Sequence, residues 1–382
     1  MPAATLVRDP PPGVYDDDPT RVLAEAPTGV SDYYPIKRGK VAVLIPAHNE
    51  EDQLGATLNS LKKQSCPPDF VLVISDNSKD DTIGVARRCG VTVIETVGNR
   101  AKKAGALNTG MRYLLQHHKE LPEFLITIDA DTVLERNFVE RGVKVMNADE
   151  HLGGLSAVCR GKPGLGANWR QKILAWYQCA EYARAGFVRM RKNIHTMSGA
   201  GSVMRIEAVL HVLRDRGVLY VEAPWNLVED FETTLEIKRH GWRATNNFHT
   251  VAHTDLMLTL HMLLRQRIRW VGGTIDELRR RGWKRESRAS IATLIYGFMG
   301  MPLFYVWIGL LEYNILNGVG WGDFWFLGFV ALYQAVTLHK LGWRSMFVGF
   351  LILPEVLYML LRHFWLIRSV FESFTTSHKE WD

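Results

Sequence analysis

From residue 41 onward the apolar positions fall into short unbroken runs, separated by longer stretches of helical period. Val41–Ile45, Phe70–Ser75, Val91–Glu95 and Phe124–Ile128 are β-branched or aromatic and nearly all apolar. Such runs suit parallel strands buried on both faces. Between them Glu51–Gln64, Asp80–Cys89 and Lys103–His117 read as helices. The alternation predicts an α/β fold with a doubly wound, mostly parallel sheet, in which ligands bind beyond the carboxyl ends of the strands. Residues 1–38 break the pattern. They are rich in Pro and Asp without apolar periodicity, so a flexible arm is expected. No basic start precedes an apolar run there, which excludes a signal peptide from the expectation.

A second change of pattern comes near residue 289. Ile291–Leu311 is 21 residues without a charge, enough to cross a hydrocarbon core of roughly 30 Å. Phe324–His339 and Met346–Leu361, the latter with Pro354 and Glu355, read as tilted spans, re-entrant hairpins or interfacial helices. Arg279–Arg281 and Lys284-Arg285 precede the first segment, while Glu312 and Asp323 follow it. By the positive-inside rule the α/β part is expected on the cytoplasmic side. The alternative is a buried helical domain of a soluble protein. The expected boundaries are an arm over 1–38, an α/β domain over 39–255 and amphipathic interfacial helices over 256–288. Membrane helices would follow over 289–372, then a tail over 373–382.

Composition narrows the field. The 382 residues are 47% hydrophobic and 23% charged, which excludes a disordered chain, a collagen and a disulfide-stapled miniprotein. Cys66, Cys89, Cys159 and Cys179 form no CxxC pair, so a zinc ribbon is not expected and the thiols read as reduced, as in a cytosolic compartment. A net charge of +6 is too small to argue for a nucleic-acid partner.

Acid-bearing clusters stand at three of the four strand ends. Asp129-Ala130-Asp131 follows the last apolar run. In extended backbone, residues two apart share a side, and paired carboxylates suit Mg²⁺ or Mn²⁺; the plain alternative is a solvated acidic turn. Asp76 ends the second run, where a carboxylate can accept from a nucleobase or ribose. Neighbouring Ser78 and Asp80 are ordinary cap residues. Lys103 opens a helix whose amides can face a diphosphate, or it is simply a solvated lysine. Glu229-Asp230 precedes another helix, either as dipole partners or with one of the two as a general base, which accelerates proton transfer by roughly 10²–10⁴. Gln266-Arg267-Ile268-Arg269-Trp270 places amide, guanidinium and indole around one helical turn. Arg269 suits a leaving diphosphate and Trp270 a sugar face; Arg265, Arg267 and Arg279–Arg281 suit a membrane surface.

Taken in order, Pro46-Ala47-His48-Asn49-Glu50-Glu51, Asp76, Asp129-Ala130-Asp131, Glu229-Asp230 and the QxxRW motif at 266–270 resemble glycosyltransferase family 2. The resemblance spans about residues 40–285 and is nearest to the membrane branch of cellulose, chitin, hyaluronan and poly-N-acetylglucosamine synthases. It implies a GT-A catalytic domain and inverting transfer from a nucleotide sugar, usually a UDP-sugar, with Mn²⁺ or Mg²⁺. By position it implies that Pro46, Asn49, Glu50 and Asp76 line the nucleotide pocket, that Asp129 lies near the diphosphate and that Asp131 binds the metal; the helix-start reading adds Lys103 to the nucleotide-sugar site. Asp230 would be the base. Gln266, Arg269 and Trp270 would hold the diphosphate and the acceptor end. Ser198 and Gly199, in the loop Met197–Ser202, and Glu229 would meet the acceptor.

The chain also departs from that branch. The synthases carry spans before the catalytic domain, their membrane part is larger, and Val271-Gly272-Gly273-Thr274 is no gating loop. QxxRW also occurs in non-processive relatives. His253 is either an extra metal ligand or, as the favoured reading, structural. The expected partners are a nucleotide-sugar donor, a polysaccharide or lipid acceptor and membrane lipids, with homo-oligomerisation left open. The alternatives are transfer of a single sugar to a lipid or protein, an inactive membrane scaffold, and a nucleotidyltransferase, for which QxxRW has no use.

Overall fold

The computed structural model describes residues 36–162, 167–188, 193–222, 227–318, 321–351 and 353–375. The expected arm up to residue 35 and the end of the tail, from 376, lie outside them. The chain divides into two compact units: Met1–Val158 with Lys192–Thr254, and Cys159–Arg191 with Asp255–Asp382. The second unit thus takes in a stretch that the sequence pattern places inside the α/β domain.

The first unit is built on a sheet of eight strands: β1 (Ile36–Ala47), β2 (Phe70–Ser75), β3 (Thr92–Glu95), β4 (Leu121–Thr127), β5 (Val133–Leu134), β6 (Leu152–Lys162), β7 (Ser202–Arg205) and β8 (Arg243–Asp255). Their order across the sheet is β3-β2-β1-β4-β7-β6-β8-β5. The pairs β1–β2, β1–β4 and β2–β3 are parallel. The pairs β4–β7, β6–β7 and β5–β8 are antiparallel. The expectation of a mostly parallel sheet is corrected: the sheet is mixed. Its parallel half comes from the buried apolar runs, joined by α1 (Leu54–Lys62), α2 (Thr82–Arg88) and α3 (Lys102–His117). The other half escaped the pattern because β8, for example, reads Arg-Ala-Thr-Asn-Asn-Phe-His-Thr, and antiparallel strands tolerate one polar face.

Alternation along β1 sends side chains into two cores. Ala42 and Leu44 join Leu72, Ile74, Leu107, Met111 and Leu114 on the face covered by α3 and α6 (Ile206–Arg216). Val41, Val43 and Ile45 join Leu54, Leu58, Phe124, Phe138 and Leu155 on the face covered by α1, α2 and α4 (Phe138–Asn147). The central strands β1, β2 and β4 are buried on both sides, and their polar ends are left for chemistry. One further helix, α7 (Glu229–Arg239), carries three acidic residues in its first turn.

In the second unit, α5 (Trp169–Val188) and α8 (Leu260–Arg281) are followed by α9 (Arg288–Asn317), α10 (Trp321–Thr337), α11 (Trp343–Phe350) and α12 (Leu353–Thr375). The third apolar segment of the sequence is therefore two helices. Tyr358 and Trp365 of α12 pack on Ile268, Leu264 and Val271 of α8. Helix α9 is long and apolar enough to cross a membrane, and only 6% of its apolar window is buried.

Candidate functional site

The loops after β1 and β2 are laced together. Asn49 and Asn77 both have positive φ, +56° and +51°, a conformation asparagine tolerates better than most residues. The Asn49 amide donates to Ser78 Oγ, and Asn49 Oδ1 accepts from the Lys79 amide at 2.8 Å. The Glu50 amide donates to Thr82 Oγ1, and Pro46 pairs in register with Ile74. Asp76, only 7% exposed, accepts at Oδ1 from Asn77 Nδ2 (3.0 Å), Thr96 Oγ1 (2.6 Å) and Asn99 Nδ2 (2.8 Å). Among the described residues its Oδ2 receives no protein donor.

A second group forms where β4, α3 and α7 converge. Lys103 Nζ lies 2.5 Å from Asp129 Oδ1 and 3.3 Å from Glu229 Oε1, and it donates to the Gly199 carbonyl at 3.4 Å. Asp129, Glu229 and Asp230 together hold the Lys103 ammonium well above its usual pKa, against the opposing effect of burial. Asp230 accepts from the Gly199 amide at Oδ2 (3.0 Å) and from the Phe231 amide at Oδ1 (2.7 Å). Its carbonyl accepts from Thr234 Oγ1, which in turn accepts from the Met197 amide. Burial, then the charge of Glu229, push the Asp230 carboxyl up to about 6, against the opposing pull of Lys103 and the two amides.

Gly199 has a specific reason to be glycine: a Cβ there would sit 3.1 Å from Lys103 Nζ and 3.3 Å from Asp230 Oδ2. The small residue leaves room for both charged groups beside the loop that the resemblance gives to the acceptor. In the same loop the Ser198 amide donates to Ser156 Oγ at 2.9 Å. A pocket opens here, lined by Lys103, Thr127, Gly199, Tyr220, Glu229 and Asp230 among others.

The sequence reading missed several of these groups. Tyr220 is buried, and burial raises its phenol to about 12. Asn108 brackets its backbone, donating to Tyr220 O and accepting from Tyr220 N. Thr96 and Asn99 follow the third strand end, and the rule about strand ends points to them once they are looked for.

For a metal, the donor set at the end of β4 is carboxylate oxygen, the chemistry Mg²⁺ and Mn²⁺ favour when substrate phosphates and water complete the shell. Asp131 is half-buried and accepts from Thr132 Oγ1 at 3.3 Å, and Asp129 pairs with Lys103. Both carboxylates are of the type such an ion accepts, and Asp131 is the ligand the resemblance implies. His253 stands opposite Val133 on β8 with Nε2 3.5 Å from Glu135 Oε1. Asp215, Glu236 and His240 also bring ligand atoms together. Arg239 already occupies that cluster, hydrogen-bonding both Asp215 and Glu236.

Within the second unit, Gln266, Arg269 and Trp270 lie on α8, with Arg269 exposed and Trp270 37% exposed. Arg267 does not face a membrane surface as its sequence context suggested. It is 2% exposed, ion-pairs with Glu181 Oε2 at 2.9 Å, donates to Gln266 Oε1 at 2.7 Å and lies 4.4 Å from the Trp270 ring centre. One face of that indole is thus occupied by the guanidinium. Glu181 also accepts from the Tyr358 hydroxyl.

Residues 42–213 match the family model described as glycosyl transferase family 2. A stretch of 109 residues is 37% identical to an uncharacterized protein of Methanocaldococcus jannaschii, covering 28% of this chain and 42% of that protein. A stretch of 105 residues is 34% identical to the 4,4'-diaponeurosporenoate glycosyltransferase of Staphylococcus aureus, covering 26% of each chain. The matches thus span less than half of either relative's length. Among solved structures, the fold is similar to that of the mannosyltransferase PcManGT from Pyrobaculum calidifontis, solved with GDP-Man and Mn²⁺. The TM-score is 0.56 over 94% of this chain and 93% of that one, at 18% identity. The segment 42–213, with its acidic groups at the strand ends, thus matches the glycosyl transferase family 2 model over somewhat less than half of the chain, and the mixed sheet is that of a GT-A-like fold.

Proposed function

We propose that the protein is an inverting, metal-dependent glycosyltransferase that moves a sugar from a nucleotide sugar to a hydroxyl acceptor at a membrane. The observation that carries this reading is Asp230. It is a carboxylate at the start of α7, anchored by the Gly199 and Phe231 amides and raised toward neutrality, in contact with the loop that the family resemblance gives to the acceptor. Asp230 takes the proton of the acceptor hydroxyl. The oxygen attacks the anomeric carbon, and the bond from that carbon to the phosphate oxygen breaks, releasing the nucleoside diphosphate. A single displacement inverts the anomeric configuration. Asp131 and the donor phosphates would hold a divalent ion, which supplies charge neutralisation for the leaving diphosphate. Asp76 and the Asn49–Glu50 loop receive the nucleoside, and Lys103 keeps one positive charge among three carboxylates. For Gln266, Arg269 and Trp270 the proposal rests on the sequence motif.

The sequence resemblance favours a UDP-sugar. The structural relative solved with GDP-Man and Mn²⁺ adds GDP-sugars to the donors worth testing and supports a divalent metal. The acceptor is a growing polysaccharide in the synthase-like reading and a lipid or protein in the single-transfer reading. A ladder of product masses marks the first, and a single increment marks the second. The membrane part of the proposal is supported by α9, whose exposed Tyr296, Leu303, Leu310 and Leu316 are solvated at a cost in water. The basic run before it favours a cytoplasmic catalytic unit.

Asp230→Asn tests the chemistry. The variant should bind nucleoside diphosphate as the wild type does and lose at least about 100-fold in transfer. Residual transfer within about tenfold of wild type would remove Asp230 from the role of base.

A further inference from the structure

Asn99, in the loop after β3, uses both polar atoms of its side chain. Its Nδ2 donates to Asp76 Oδ1 and to the Lys102 carbonyl, each at 2.8 Å, and its Oδ1 accepts from the Ala101 amide at 2.9 Å. One side chain thereby joins the carboxylate at the end of β2 to the first turn of α3. Lys102, whose carbonyl it grips, has φ of +53°, a conformation that residues with a Cβ seldom adopt. The next residue is Lys103, the cation shared by Asp129 and Glu229.

Helix α3 is shaped to accept this bridge. A Cβ at Gly105 would lie 2.1 Å from Asn99 Oδ1 and 2.9 Å from the Ala101 Cβ. Glycine is a poor residue for a helix interior, so an alanine there would favour the helix and evict the asparagine. Asn77 Nδ2 and Thr96 Oγ1 share Asp76 Oδ1 with Asn99, which orients the carboxylate and leaves Oδ2 available.

We propose that Asn99 is a positioning residue for nucleotide binding, with Gly105 as the space that admits it. Asn99 fixes the carboxylate that receives the nucleoside and, through Lys102, sets the start of α3 from which Lys103 projects. The nucleoside and diphosphate ends of the pocket are thereby held in one register. This inference rests on the donor-site reading of Asp76 given above.

The test is calorimetric titration of the full-length protein in detergent with UDP and with GDP, in the presence of MnCl₂. Wild type is compared with Asn99→Ala, Asn99→Asp and Gly105→Ala, and unfolding midpoints are measured alongside. The wild type should bind at least one of the two nucleotides. Each variant should bind it about tenfold or more weakly, the scale of a lost hydrogen bond to a charged group. Asn99→Asp should be at least as impaired as Asn99→Ala, because it sets a second carboxylate against Asp76. Gly105→Ala should lose affinity by more than any fall in its midpoint accounts for, an outcome a purely structural role would not give. In donor hydrolysis the same variants should raise KM by a larger factor than they lower kcat. Binding within about twofold of wild type by any variant that keeps the wild-type midpoint would overturn the role of Asn99 and leave the donor-site reading standing. A wild-type protein that binds neither nucleotide would overturn both.

Discussion

At the scale of residues, the site is an arrangement of charge around Lys103. Three carboxylates face one ammonium, and burial with the charge of Glu229 raises the half-buried Asp230 to about 6. A general base works deprotonated, so transfer should increase as pH rises through about 6 and level off above it. Lys103 pulls that pKa down, so Lys103→Met should move the rising limb to higher pH and depress activity at neutrality. A pH–rate profile at saturating donor checks this; a limb that stays in place or moves to lower pH contradicts the coupling. Asp76 and Asp129 were legible in the sequence because each ends a buried apolar run, and the strand-end rule needs no partner to point at them. Tyr220 and Asn108 were not, because what defines them is their contact with each other across 112 positions; Asn99 stands at a strand end, but its bond to Asp76 does not show in the pattern. The constraint that Lys103 and Asp230 place on Gly199 likewise lies in contacts far apart in the chain.

At the scale of elements, the placement of Asp230 depends on how α7 is tied down. Two residues along the helix, Glu232 is fully buried and accepts from Arg216 Nη1 at 2.5 Å and Nη2 at 3.0 Å. Arg216 also donates to the Val218 and Leu219 carbonyls, so one guanidinium joins the end of α6 to α7. Arg216→Ala would remove the guanidinium that hydrogen-bonds this buried carboxylate twice and should cost about 3–5 kcal/mol. Denaturant unfolding measures it, and a loss below about 1 kcal/mol would mean the pair behaves like a surface ion pair. The helices and strands of the parallel half were readable because period and punctuation agree there. The antiparallel strands were not, since half-exposed strands dilute the apolar signal. Arg267 teaches the same lesson on α8: its basic surroundings suggest a surface, and Glu181, 86 positions earlier, buries it.

At the scale of the whole molecule, the unit that carries the family 2 match is joined in sequence to a set of apolar helices. Trp325, Phe329, Trp343, Phe347, Ile367 and Phe371 are all more than half exposed, an apolar surface that in water invites association. The proposed membrane location predicts that the expressed protein sediments with membranes, resists extraction by high salt or alkaline carbonate, and is released by detergent. Release by salt alone contradicts integration through α9. Metal-dependent transfer is decided by nucleoside diphosphate release from purified protein across a panel of UDP- and GDP-sugars, with Mn²⁺, with Mg²⁺ and with chelator, beside Asp230→Asn. Release is expected from a restricted set of donors and should disappear with chelator and with the variant. Release that is indifferent to both, or donors that bind and are never turned over with any acceptor fraction supplied, would contradict the proposed reaction.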